Sequence, residues 1–510
     1  MRILSPAISQ LARLRMGRIE YFMQYPLQVQ QQVFQNLISA AQYTEFGKQY
    51  SFSQIYKIEE FKQRVPIHNY DTLKPYIQRS MEGQQNILWN TPIKWFAKSS
   101  GTTADKSKFI PVSVESLDDC HYRSGRDVLS LYYNNFPESR LLTGKSLVIG
   151  GSHQVNKLAP ESDSYFGDLS AVMLQNMPFY GNMIRTPDLS IALMDEWEEK
   201  IERMANAVIH ENVTSIAGVP TWTLVLIKRI FEITGKDNLA DVWPNLELYM
   251  HGGVSFMPYR ERFRQLINKP DMFYQETYNA SEGFFAAQDV IGEEGLLLFL
   301  NHGIFYEFMP MEEYGKENPQ TLQLQDVEMG KNYALIISTN GGLWRYLVGD
   351  TIQFVSLAPY RVRVSGRTKS FINAFGEELI VENSDMAIAK ACEQTGAVVN
   401  DYTAAPIYFS ENKSGGHEWL LDFDVMPDNV EHFIDVLDST LKAINSDYEA
   451  KRYKDMALRR PVIHILPKGT FTEWLKSKGK LGGQHKVPRL NNERQYVEDI
   501  LKFAGVTGAI

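Results

Sequence analysis

Ten consecutive residues, Ser99-Ser100-Gly101-Thr102-Thr103-Ala104-Asp105-Lys106-Ser107-Lys108, set four hydroxyl side chains around one glycine and close on lysines. They follow the apolar run Ile93–Ala97. Glycine and small neighbours let a backbone approach a ligand closely. Successive N–H groups, hydroxyls and an ammonium then form a cradle suited to a polyphosphate. The spacing lacks Gly-x-x-x-x-Gly-Lys-Ser/Thr, so this is not a Walker A loop. The same residues would also make a plain polar turn from strand to helix.

Four further segments carry chemistry. His251-Gly252-Gly253-Val254 follows the strand-like Leu246–Met250. A glycine pair at the carboxyl end of a parallel strand admits a flat ligand, and that end is where open α/β sheets bind; a simple turn is the competing reading. Tyr278-Asn279-Ala280-Ser281-Glu282-Gly283 places an aromatic, a hydroxyl and a carboxylate within five residues, after an expected strand Met272–Thr277. Tyrosine stacks on a base, serine reaches a phosphate, and glutamate holds magnesium, which takes oxygen ligands shared with phosphates. A loop with a capping serine is the alternative. In Trp344-Arg345-Tyr346-Leu347-Val348-Gly349-Asp350 the aspartate is suited to accept from a vicinal diol such as ribose, or else marks a Gly-Asp hairpin turn. Lys478 to Arg489 interleaves three lysines with three glycines and reads as a cationic loop able to close over phosphate, or as an ordinary basic surface. His210-Glu211 lacks the second histidine of a zinc helix, and Gly150-Gly151-Ser152-His153 lacks the closing glycine of a nucleophile elbow.

The elements that must hold these groups follow from periodicity. Residues 1 to about 48 read as helix, with Gln28–Gln35 as a polar face. Lys145–Gly150, Val213–Ala217 and Leu246–Met250 read as strands, alternating with helices Asp195–His210 and Thr221–Thr234. That order predicts an α/β fold with a mostly parallel sheet flanked by helices. From about 284 the pattern becomes short strands, Leu296–Phe299, Ile304–Met309, Tyr333–Ser338 and Ile352–Val355, closer to an antiparallel sheet or barrel. After Gly366-Arg367 a helix Glu382–Thr395, a strand Trp419–Val425, a helix Asn429–Ile444 and a strand Val462–Leu466 predict a smaller α+β domain. The expected division is 1–366 and 367–510, with a boundary at 366–370.

Composition narrows the class. The chain has 510 residues, 44% hydrophobic and 22% charged, which is enough for two or three packed domains. A net charge of -9 with interspersed signs disfavours a nucleic-acid partner. The opening Met1-Arg2-Ile3-Leu4-Ser5-Pro6 has no signal-peptide pattern, and no run approaches a membrane span, so no membrane partner is expected. Two cysteines, Cys120 and Cys392, make no disulfide framework and fit a reducing, cytoplasmic setting. A monomer is expected.

In this order the motifs resemble the adenylate-forming superfamily of acyl-CoA synthetases, luciferases and peptide-synthetase adenylation domains. The nearer resemblance is to the auxin-responsive promoter (Gretchen Hagen) family of acyl-acid amido synthetases. It is carried by Ser99–Lys108, Tyr278–Gly283, Arg345–Asp350 and Gly483-Gln484-His485-Lys486-Val487-Pro488-Arg489, with Gly366–Ile380 as the hinge into a mobile small domain. The resemblance implies ATP and magnesium as cofactors, and a small carboxylic acid and an amine, expected to be an amino acid, as substrates. Ser99, Ser100, Thr102 and Thr103 would contact phosphates. Gly252, Gly253, Val254 and Tyr278 would frame adenine. Ser281 would serve phosphate and Glu282 phosphate-bound magnesium. Asp350 would hold ribose, Arg367 would flank the pivot, and Lys486 would be the mobile-domain lysine that joins Glu282 in catalysis.

Departures at Asp105, Leu347 and Ala286-Ala287-Gln288 point to a divergent, bacterial-type member. For the acyl pocket, Arg123 and Arg126 are suited to a carboxylate, and Phe179, Val219, Thr221 and Trp222 to its walls. A helix surface explains the arginines equally, and core packing explains Phe179 and Trp222 better. Two other functions stay open: an acyl-CoA ligase, and a nucleotide-binding protein of this fold without turnover.

Overall fold

The computed structural model describes residues 5–100, 107–150, 156–158, 163–194, 196–254, 256, 259–293, 295–368, 371–409, 414–478 and 487–506. The chain opens with helices Ser5–Gln24 and Pro26–Ala41. Proline at the first helical position supplies a preset φ without losing a needed donor. Val29, Val33, Phe34, Leu37 and Ile38 form the buried stripe of the second helix. One residue of the expected polar face departs from it. Gln30 is buried, its amide donating to the carbonyls of Leu300 at 2.7 Å and Ile304 at 3.0 Å, and accepting from the Tyr306 N–H at 2.9 Å. It ties the helix to the edge strand of the main sheet.

That sheet has eleven strands among the described residues. From one edge they run Ile304–Pro310, Asn332–Thr339, Tyr346–Leu357, Tyr360–Arg367, Leu296–Leu298, Gly283–Ala287, Phe273–Ala280, Leu248–Gly252, Val213–Ala217, Lys145–Val148 and Arg185–Thr186. The last five pair in parallel and the rest antiparallel. The stretch expected as barrel-like therefore continues the parallel sheet, with Phe273–Ala280 as the shared strand. A four-stranded sheet holds Trp95–Ser100 and Ser107–Val112 as an antiparallel hairpin. Beyond residue 370, Val398–Ile407, Gly416–Val425 and Val462–Leu466 form a third sheet covered by helices Val381–Thr395 and Val430–Ile444. Its core gathers Trp419, Leu421, Phe433, Leu437 and Ile463. Among the described residues no helix is long and apolar enough to cross a membrane.

Arg345 shows how buried charge fastens the antiparallel half. It lies at φ 42° and is 4% exposed. Its guanidinium donates to both Glu307 oxygens at 2.9 Å, and to the Lys62 and Val65 carbonyls at 3.0 and 2.7 Å. Removing one partner of a buried pair leaves the other charge uncompensated. Arg345→Met is expected to destabilise the fold by about 2–3 kcal/mol, read as a lower urea midpoint; an unchanged midpoint would count against this reading.

Three buried histidines add a pH dependence. Burial depresses His68 and His121 to about 4 and His251 to about 3, from 6.5. The folded protein keeps them neutral, while the unfolded chain takes up protons below pH 6.5. Their contribution is thus complete above pH 6.5 and is lost as pH falls toward 4, by about 1.4 kcal/mol per histidine per pH unit. Urea midpoints at pH 7.5 and 5.5 check this, with a lower value expected at pH 5.5. Replacing His121 by Gln should lessen the difference.

Candidate active site

The hairpin Trp95–Ser100 and Ser107–Val112 positions the first chemical segment. Ser99 pairs with Lys108 and Ser100 with Ser107. The hydroxyl-rich segment thus joins two antiparallel strands and is not a turn into a helix. Thr102 and Thr103 lie outside the described residues, as do Lys486 and the side chains of Ser100 and Thr221. Ser99 and Lys108 line a cleft of about 2230 Å³. Lys108 shares a strand face with Ile110, two residues on, which explains its 7% exposure.

Gly252 ends the strand Leu248–Gly252 and pairs with Thr277. A Cβ on Gly252 would lie 2.6 Å from the Thr277 carbonyl oxygen, and Gly253 sits at φ 81°, so neither position suits a side chain. With Val254 they form one rim of the cleft. Phe273–Ala280 runs beside them, and Gly283 pairs back on Ala280, which puts Ser281 and Glu282 at a hairpin tip facing the cleft.

Tyr278 and Asp350 meet although 72 residues separate them. The Tyr278 hydroxyl donates to Asp350 Oδ2 at 2.8 Å, and its ring packs on Phe285. Asp350 lies inside the strand Tyr346–Leu357, opposite Arg367. The Gly-Asp pair is therefore not a hairpin turn, and Gly349 at φ 101° is accommodated within the strand. Arg367 Nε donates to Asp350 Oδ1 at 2.8 Å and Nη2 to Glu378 Oε1 at 3.2 Å. Burial opposes the guanidinium charge, but Glu378 and Asp350 outweigh it and keep Arg367 charged. Burial raises the Glu282 carboxyl above the usual range. The Lys108 ammonium opposes that rise, and Glu378 and Asp350 add to it. Residues of four segments distant in the chain, expected to serve phosphate, diol and metal, thus line one cleft.

The expected acyl residues divide. Val219 and Trp222 line the cleft, near Met173, Met177 and Met250. Phe179 is 79% exposed, so it does not wall the cavity. Arg123 lies off the cleft, its carbonyl accepting from Arg15, whereas Arg126 lines it. Both corrections have one cause: helical spacing does not say which face a neighbouring element covers. Cys120 is buried, its thiol pushed up to about 12 by desolvation, as suits a structural thiol.

Family comparisons fit this geometry. The model described as the GH3 family N-terminal domain matches residues 15–272, that of the central domain 297–367, and that of the C-terminal domain 382–495. The chain belongs to the GH3 family. Indole-3-acetic acid-amido synthetase GH3.3 of Arabidopsis thaliana is 25% identical over 90% of this chain and 89% of its own length. Among solved structures, GH3.15 acyl acid amido synthetase matches with TM-score 0.62 at 17% identity, covering 96% of this chain and 95% of that one. A 2-hydroxyisobutyryl-CoA ligase in complex with 2-HIB-AMP and CoA matches with TM-score 0.58 at 12% identity, covering 93% and 92%. These likenesses show that the chain shares its fold with those enzymes. The similar sequence comes from a plant, and the expected bacterial character is not borne out.

Two departures from the GH3 pattern have local reasons. Leu347 packs against the apolar group of Met309, Ala334 and Ile336, which an apolar side chain suits. Ala286 and Ala287 are fully buried in a central strand, where small side chains fit. Sequence reasoning gave Lys108 only a share in the cationic end of the phosphate cradle, and assigned no role to Glu378 or Tyr346. The Tyr346 hydroxyl stands 3.5 Å from Glu282 Oε1. Lys108 carried a readable signal, since it closes the hydroxyl-rich segment and alternates in phase with Ile110. Glu378 carried none, because its contact with Arg367 depends on the hinge path.

Proposed function

We propose that this protein activates a small carboxylic acid with ATP and transfers the acyl group to an amine, with an amino acid as the expected acceptor. The observation that carries this reading is the convergence of Ser99, Lys108, Gly252-Gly253, Glu282 and Asp350 on one cleft. A carboxylate is a poor electrophile. Its oxygen attacks the α-phosphorus, the bond to the bridging oxygen breaks, and pyrophosphate leaves. The amine nitrogen then attacks the acyl carbonyl, the carbonyl–oxygen bond to AMP breaks, and the amine proton passes to solvent. Positioning and charge stabilisation do most of the work in such transfers.

Each residue has a task. Ser99, Ser100, Thr102, Thr103 and Lys108 cradle the phosphates, with Lys486 approaching from the other side. Gly252, Gly253, Val254 and Tyr278 frame adenine, and Asp350 accepts from the ribose diol. Ser281 turns to phosphate. Glu282 offers a carboxylate facing the cleft, and among the described residues no three metal-binding side chains cluster. Such a single carboxylate suits magnesium shared with phosphates. Magnesium would neutralise charge on the departing pyrophosphate.

The division at 366–370 into a large unit 1–366 and a mobile unit 367–510 belongs to the same proposal. It is supported by a separate hydrophobic core beyond residue 370 and by the match of the central-domain model ending at 367. A monomer in a reducing cytosol completes the reading.

The test is acid-dependent exchange between ATP and pyrophosphate, across aryl, indolyl and fatty acids, without amine or CoA. Exchange is expected with at least one acid. Its absence across the panel, with nucleotide still bound, would favour the fold without turnover. Product formation that requires CoA in place of an amine would make the protein a CoA ligase, whose fold it shares.

A further inference from the structure

Lys451 has no role in the preceding account, yet its surroundings are those of a ligand-binding group. It lies on the short helix Ser446–Arg452, which rests against the phosphate strand Trp95–Ser100. The residue is 7% exposed and lines the cleft. Among the described residues its ammonium has no hydrogen-bond acceptor and no carboxylate within ion-pair distance. What it does have is the face of Trp222, with Nζ 5.0 Å from the ring centroid. A Cβ on Gly376 would stand 3.6 Å from that nitrogen, so the hinge loop passes close by. Trp222 comes from the acyl side of the large unit, and Gly376 and Lys451 from beyond the hinge. The ammonium therefore sits at the seam where both walls meet.

A desolvated cation with only a ring face for company lacks most of the stabilisation that a counter-charge supplies. An oxyanion entering the cleft would provide it. Three oxyanions take part in the proposed reaction. The nucleotide phosphates are served by Lys108 and the hydroxyl-rich segment. The acid loses its charge on becoming an acyl-adenylate. The third is the carboxylate of an amino-acid acceptor, one carbon from the attacking nitrogen. In the proposed order it reacts only once the acyl-adenylate has formed, and Lys451 lines the cleft in which that reaction takes place.

We propose that Lys451 binds the α-carboxylate of the acceptor, which makes this enzyme selective for amino acids over simple amines. This rests on the amide-forming reading above and names the residue that recognises the second substrate. Lys451 is a binding residue, so its loss should appear in the acceptor KM far more than in adenylation.

The experiment uses the full chain in two assays. The first is ATP–pyrophosphate exchange with indole-3-acetic, benzoic, hexanoic and dodecanoic acids. The second is amide formation with the twenty standard L-amino acids, and with the α-carboxamide of the one best used. Wild-type protein should prefer that amino acid over its carboxamide by about 30-fold or more in kcat/KM. Lys451→Met should raise the amino-acid KM and abolish the preference. Lys451→Arg should restore part of it, and exchange should fall less than about 3-fold in either variant.

Equal use of amino acid and carboxamide by the wild-type protein would overturn the proposal, and that comparison does not depend on a variant folding. So would a preference that survives Lys451→Met. A parallel loss of exchange and amide formation would move Lys451 to the phosphates and overturn it also. Exchange without any accepted amine would overturn the acceptor site and the amide step while leaving adenylation standing. No exchange with any acid would instead overturn the reading on which the proposal rests.

Discussion

Lys108→Met is expected to slow adenylation by about 100-fold or more, read as the exchange rate at saturating ATP and acid. Lys108 stands opposite Ser99 on the hairpin, lines the cleft, and its charge opposes the rise of the Glu282 carboxyl. Negative charge grows on the bridging oxygen as pyrophosphate departs, and a fixed ammonium in a partly dry cleft stabilises that charge more than the ground state. The loss should therefore fall on the rate more than on the ATP KM. Methionine keeps the length and volume of the stem. Because Lys108 has no hydrogen-bond partner among the described residues, the fold should lose little stability, and a thermal melt checks that. Unchanged exchange would remove Lys108 from the phosphate site.

Asp350→Ala should raise the KM for ATP by about 100-fold, with a smaller change in rate at saturation. The carboxylate is held from two sides, by the Tyr278 hydroxyl and by Arg367, both at 2.8 Å. Each carboxylate oxygen keeps a further lone pair for a ribose hydroxyl. Losing two charge-assisted hydrogen bonds to the diol accounts for the expected size. Arg367 retains Glu378 at 3.2 Å, so the guanidinium is not left unpaired. Tyr278→Phe separates positioning from binding. It removes the hydroxyl that orients Asp350 but leaves the carboxylate, and should cost at most about 10-fold. If Asp350→Ala binds ATP normally, ribose is held elsewhere.

Much of this was legible along the chain. Leu296–Leu298, Val213–Ala217 and Val462–Leu466 are runs of apolar or β-branched residues between turn formers, and they form strands where expected. The strand Val398–Ile407 was not readable, since Asn400, Asp401 and Pro406 interrupt any pattern. It exists because Gly416–Val425 pairs along its whole length. Gln30 shows the same limit within a helix. Its type says surface, yet three hydrogen bonds to backbone groups some 270 residues away compensate its burial.

The sequence by itself determined the parts list: the hydroxyl-rich segment, the glycine pair, the Ser-Glu tip, the Gly-Asp step and the alternation that makes an α/β sheet. These are local properties, set by side-chain chemistry and by periods of two and 3.6 residues, and neighbours in the chain suffice to express them. Tertiary structure alone decided that Asp350 lies mid-strand between Tyr278 and Arg367, that Lys108 is buried at the cleft, that Phe179 points to solvent, and that Lys451 covers Trp222. Each depends on which face of one element meets another, and that choice is made by burying apolar surface across the whole chain.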